Sequence, residues 1–138
     1  MTVPRRSSVL MPGFSHENPI PTASRIGPFL FSGVLTGRDP HTSTMPASLD
    51  AQCGNVFLHV RHLMAAAGGH VDDIVKMTFW LADYRDRMAL NREWLEMFPD
   101  PASRPARQAM SAQLDRRALV QCDLVAVLEE SRGDAGSP

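Results

Sequence analysis

IVKMTFWLAD, residues 74–83, alternates with a period of two: Val75, Met77, Phe79 and Leu81 stand against Ile74, Lys76, Thr78 and Trp80. Successive side chains of a strand point to opposite faces, so this pattern predicts a strand. Both sets contain apolar residues, which predicts cover on each face. Before the strand, the segment from Ser48, an N-cap residue type, to Ala67 is followed by Gly68-Gly69 as a stop, and reads as a long helix. Val56, Val60, Leu63 and Ala67 give it one core face. Beyond the strand a second helix is expected over about 85–98, with Met88, Asn91, Leu95 and Phe98 along one side and Trp94 beside them; Pro99 ends it.

The outer segments complete the pattern. Ser7 to Met11 reads as a first strand ended by Pro12-Gly13, residues 16–27 as a surface loop, PFLFSGV (28–34) as a buried strand and residues 35–46 as turns. RPARQAMSAQL (104–114) and ALVQCDLVAVLEE (118–130) are β-prone and separated by a short turn, which predicts a hairpin. The order β, β, α, β, α, β, β implies an α+β fold, one mixed sheet with two helices on one face. A single domain is expected over 7–130, with residues 1–6 and 131–138 as flexible ends. Apolar residues on both strand faces suggest that subunits cover one another.

Composition narrows the function. With 138 residues, Lys+Arg 14 against Asp+Glu 15 and a formal charge of −1, the chain lacks the basic excess that phosphate backbones demand, so no nucleic-acid partner is expected. Cys53 and Cys122 lie far apart and outside any CxxC spacing, which points to reduced thiols in a cytoplasm rather than a disulfide or zinc framework. No stretch reads as a signal peptide or membrane span, so a cytoplasmic location without a membrane partner is expected.

His59 and His62, with Asn55 on the same helix side, could bracket a metal, but no third ligand is spaced to finish the site, and solvated or interface histidines are the expectation. His16 and His41 lie in loops. Lys76 is the only lysine and sits inside a strand; a snorkelling or interface role is preferred to a Schiff-base nucleophile. Cys53 and Cys122 read as small core fillers, and Gly33 and Gly37 as turn formers or points where backbone approaches something small. Arg107 and Asp123 are the informative pair. On the predicted hairpin they project from neighbouring strands, either as a buried salt bridge or as parts of a site.

Several separated motifs align with one pattern: PTAS…GPFLFSGVLTGRDP (21–40), AQCGNVFLHVRHLMAAAGG (51–69), DDIVKMTFWLAD (72–83), Asn91 with WLEMF after it, SRPARQAM (103–110) and VQCDLVAV (120–127). Together they resemble the Rid family, also called YjgF or L-PSP, over about residues 15–128. The resemblance implies a homotrimer of a chorismate-mutase-like fold around a central barrel, with clefts at the subunit interfaces. It also implies hydrolysis of reactive enamines and imines, such as 2-aminoacrylate or a 2-aminomuconate-like intermediate, to the keto acid and ammonia, without metal or organic cofactor. Arg107 would hold the substrate carboxylate, backbone near Gly33 and Ala109 would line the cleft, and Asn91 falls at the family's asparagine. Asp123 stands where the family has a glutamate, Thr22 where it has a tyrosine, Ala109 where it has a cysteine and Val34 where it has a glutamine. These departures keep the carboxylate anchor and remodel the pocket, which implies a different substrate. The rival readings are a non-catalytic trimer that binds a small carboxylate or a protein partner, and a ribonuclease.

Overall fold

The computed structural model describes residues 4–13 and 18–129; the ends at 1–3 and 130–138, and the loop at 14–17 with His16, lie outside the described residues. The elements are β1 (Ser7–Val9), β2 (Ala23–Ile26), β3 (Phe29–Ser32), β4 (Leu35–Thr36), α1 (Leu49–Ala66), a short 3-10 turn (Val71–Asp73), β5 (Ile74–Leu81), α2 (Met88–Met97), β6 (Ala106–Ser111) and β7 (Val120–Val127). The surface loop expected at 16–27 therefore contains β2, and the turn region at 35–46 opens with β4. Both are short strands whose polar neighbours hid them.

The strands form one sheet in the order β1-β2-β3-β7-β5-β6, with β4 also pairing β7. The predicted hairpin of β6 and β7 is not formed. Instead β6 pairs parallel with β5 at the sheet edge, while β7 pairs antiparallel with β5 on its other side. The cause is α2: a strand, helix, strand crossover returns the chain parallel to its start, so β6 is placed by β5 and the helix rather than by the turn after it. β7, with Val120, Cys122, Leu124 and Ala126 all buried, takes the centre.

Between the sheet and the two helices lies the core. Phe57 of α1 stacks on Phe79 of β5 at 5.7 Å, Phe79 meets Trp94 of α2 edge-on at 6.3 Å, and Trp94 meets Phe98 at 4.8 Å. Each such pair contributes about 0.5–1.5 kcal/mol beyond its buried area. The period of β5 slips at its start, because a bulge between Ile74 and Lys76 leaves Ile74 buried and Val75 exposed. From Met77 onward the expected alternation holds, but Lys76, Thr78 and Trp80 face an uncovered side of the sheet. α2 is also rotated from its predicted face: Ala89, Leu90, Trp94 and Met97 are buried, whereas Met88 is 81% exposed and Leu95 52%. The large aromatic ring, rather than the count of apolar residues, sets which side turns inward.

The ends of α1 follow their residues. Ser48 Oγ accepts from the Ala51 amide at 3.1 Å, and Gly68 takes φ +77°, the left-handed turn that glycine adopts without penalty. Buried Gln52 ties this helix to the far side of the fold. Its Nε2 donates to the carbonyls of Pro46 (2.8 Å) and Arg117 (3.0 Å), and its Oε1 accepts from the Leu119 amide (2.8 Å). Gly37 lies against the same residue: a Cβ there would sit 2.7 Å from Gln52 Cβ. Its role is thus close packing of strand end on helix. Among the described residues no helix is long and apolar enough to cross a membrane.

Candidate functional site

Arg107 stands on edge strand β6, level with Met77 of β5, and so projects on the helix side of the sheet. Its guanidinium carbon lies 5.0 Å from the Trp94 ring centroid. Among the described residues no carboxylate pairs with it; the ion pairs there join Arg85 to Asp83, Arg92 to Asp50 and His70 to Asp72. Burial, and then the charge of Arg87, pull its pKa below the ordinary arginine value, yet guanidinium stays protonated at physiological pH. Asn91 is on α2, four residues after Arg87 and three before Trp94, which places it on the same helix side. Ala109, two residues beyond Arg107, is half-buried against the core.

Asp123 is elsewhere. It lies level with Thr78 on β5 and faces the uncovered side of the sheet, so Arg107 and Asp123 occupy opposite faces with β5 between them. The salt bridge expected from a hairpin is therefore absent. The pairing of β3 with β7 ends at Phe31 opposite Val125 and that of β4 begins at Leu35 opposite Cys122, leaving a break in the ladder beside Asp123. Ser32 Oγ fills it by accepting from the Leu124 amide at 2.8 Å. The Gly33 amide donates to the Thr22 carbonyl at 2.8 Å, so this amide is already engaged within the chain, and Thr22 itself is 1% exposed. Burial raises the Asp123 pKa, with the nearby Lys76 charge opposing.

The candidate residues thus fall into two groups on one protomer. Thr22, Gly33 and Asp123 gather at the break between β3 and β4; Arg107, Asn91 and Ala109 gather at the edge formed by β6 and α2. Sequence reasoning missed Ser32, Trp94 and Arg87. Two of these had a visible signal, since Arg87, Asn91 and Trp94 recur at helical spacing within the predicted helix; the side-chain bridge from Ser32 had none.

The remaining candidates are structural. His59 is buried rather than solvated, its Nε2 2.8 Å from the Arg38 carbonyl, and burial lowers its pKa. Asn55 donates to the Gly37 carbonyl at 3.0 Å, while His62 and His41 are exposed. No cluster of metal-ligating side chains occurs among the described residues. Both cysteines are buried, and burial pushes the Cys53 thiol up to about 12 and Cys122 upward too, so neither is a ready nucleophile.

Fold and site define a class: a mixed-sheet α+β domain presenting, at a sheet edge, an arginine that no carboxylate among the described residues neutralises. A family model described as Endoribonuclease L-PSP matches residues 18–128. The chain is 33% identical over 103 residues, covering 72% of it and 78% of the relative, to a RutC family protein of Synechocystis sp.. It is 29% identical over 96 residues, 69% of this chain and 75% of the relative, to the 3-aminoacrylate deaminase RutC of Acinetobacter baylyi. Its fold matches the crystal structure of the Rid family protein YyfA from Yersinia pestis with TM-score 0.83 and 21% identity, over 89% of this chain and 99% of that one. The chain belongs to the L-PSP, or Rid, family.

Proposed function

We propose that this chain is a deaminase that hydrolyses a reactive enamine or imine carrying a carboxylate, acting at clefts between protomers of a homotrimer. The observation that carries the reading is Arg107, half-buried and without a carboxylate partner among the described residues. A buried charge is costly unless matched, and the fork of guanidinium donors fits a carboxylate. The deaminase name of the Acinetobacter relative supports the same chemistry.

In the reaction, an enamine tautomerises to the imine by protonation at carbon, or the imine binds directly. Arg107 holds the carboxylate and draws charge from the adjacent carbon. Asp123 orients a water and takes one of its protons as the oxygen bonds to that carbon, and passes it to the nitrogen to give a carbinolamine; the hydroxyl proton then moves to the nitrogen as the carbon–nitrogen bond breaks and the carbonyl forms, giving the keto acid and ammonia. Such imines hydrolyse unaided, so a modest acceleration suffices. No step calls for a metal or an organic cofactor.

Assembly brings the two groups together. The sheet face that holds Asp123 also presents Phe29 (52% exposed), Phe31 (56%) and Val127 (39%), an apolar surface suited to burial against other copies around a central barrel. A ribonuclease is disfavoured: the formal charge is −1, and His59 is buried.

The test generates 2-iminopropionate with an amino acid oxidase and traps the surviving imine with semicarbazide. Added protein is expected to lower the trapped imine. Equal trapping with and without it contradicts deamination of this substrate; if pyruvate then raises the melting temperature, the chain is a carboxylate binder without turnover.

A pH effect follows from Lys76. Its ammonium favours the ionised form of Asp123, the form able to accept a proton. Lys76→Met removes that charge, raises the Asp123 pKa further and moves the acid limb of kcat/KM to higher pH. A limb that stays in place or moves down contradicts the role of Asp123 as the base.

A further inference from the structure

We propose that Arg87 is a second anion anchor beside Arg107, so that the site takes imines of dicarboxylic acids, Arg107 holding the carboxylate next to the reacting carbon and Arg87 the distal one. This rests on the deaminase reading above and names its substrate class.

The geometry begins at the start of α2. Arg87 is the N-cap residue, and its guanidinium is steadied by Tyr84, donating to the hydroxyl at 3.3 Å with its carbon 4.4 Å from the ring centroid. Seven residues on, two helical turns, Trp94 carries the Arg107 guanidinium on its ring. Arg87, Asn91 and Trp94 therefore line one side of α2, the side whose Trp94 carries Arg107, and the Arg87 charge acts on Arg107 from there. Two like charges so placed repel one another. The acids nearby in the chain do not relieve them: both oxygens of Asp83 are taken by Arg85, at 3.1 and 3.0 Å, and among the described residues Asp86 forms no ion pair with either arginine. Among the described residues neither Arg87 nor Arg107 forms an ion pair. A monocarboxylate would match one guanidinium and leave the other unmatched; a dicarboxylate neutralises both.

The test measures binding of unreactive keto acids by calorimetry, independent of turnover. The protein is expected to bind 2-oxoglutarate about tenfold or more tighter than pyruvate, a preference equal to one charge-assisted contact. Arg87→Met should bring the two affinities within about twofold, Arg87→Lys should retain most of the preference, and Arg107→Ala should weaken both acids. Arg87 is exposed, so its two variants should melt with the parent protein. Equal affinity for both acids in the unaltered protein, no measurable binding of 2-oxoglutarate, or a preference that survives Arg87→Met would each overturn the inference. If the preference holds while trapping shows no turnover of the imine of 2-oxoglutarate, the deaminase reading fails and the dicarboxylate site stands; turnover without the preference does the reverse.

Discussion

Arg107→Ala is expected to lower kcat/KM for 2-iminopropionate about 100-fold or more while leaving the fold intact. A hydrogen bond to a charged group contributes about 1.5–3 kcal/mol, and a forked guanidinium makes two to one carboxylate. Partial exposure of Arg107 discounts the sum toward its lower end, about 3 kcal/mol, or just over two decades in rate. Stability should change far less, since the folded protomer loses mainly the contact with Trp94, on the order of 0.5–1 kcal/mol at a part-exposed site. Arg107→Lys keeps the charge without the fork and should recover only part of the loss. The measurement is imine trapping over a substrate series, with melting temperature as the control. A fall below about threefold, for a variant that melts with the parent, would place the carboxylate elsewhere.

Gln52→Leu is expected to be the most destabilising single change outside the aromatic core, by about 3–5 kcal/mol. Gln52 is fully buried and its amide uses both ends, donating to Pro46 and Arg117 and accepting from Leu119. Leucine fills a similar volume but leaves one buried amide and two carbonyls without their partner, each at about 1–3 kcal/mol if water does not enter. The contacts are also long-range, joining the first turn of α1 to the segment that leads into β7. At matched protein concentration the melting temperature should drop by about 10 °C or more. Urea unfolding with a change below about 1 kcal/mol would show that water replaces the amide.

How far the fold could be read from residues depends on how local its causes are. The strand at 74–83, the helix from Ser48 to the Gly68-Gly69 stop and the mixed-sheet α+β class all follow from periodicity and caps, which a chain carries within a few residues. The neighbours of β6 and β7 do not. A short turn between two β-prone runs favours a hairpin, whereas the crossover through α2 and the greater burial demand of β7 send β6 to the edge. That one topological difference moves Asp123 to the opposite sheet face from Arg107. The site residues themselves were read mainly through the family pattern, because an arginine lacking a carboxylate partner cannot be told from a salt-bridged one by spacing. Arg87 carried a signal in its helical spacing with Asn91 and Trp94, but on a helix with many charges that spacing alone does not single it out.

The division of the site into two groups on one protomer leads to the decisive measurement. Arg107→Ala and Asp123→Asn, each inactive alone, are unfolded together, refolded as a mixture and assayed for imine hydrolysis. If each cleft draws Arg107 from one protomer and Asp123 from its neighbour, random mixing restores about one quarter of the clefts, and about one quarter of the parent activity returns. A mixture no more active than either variant alone would contradict the shared cleft.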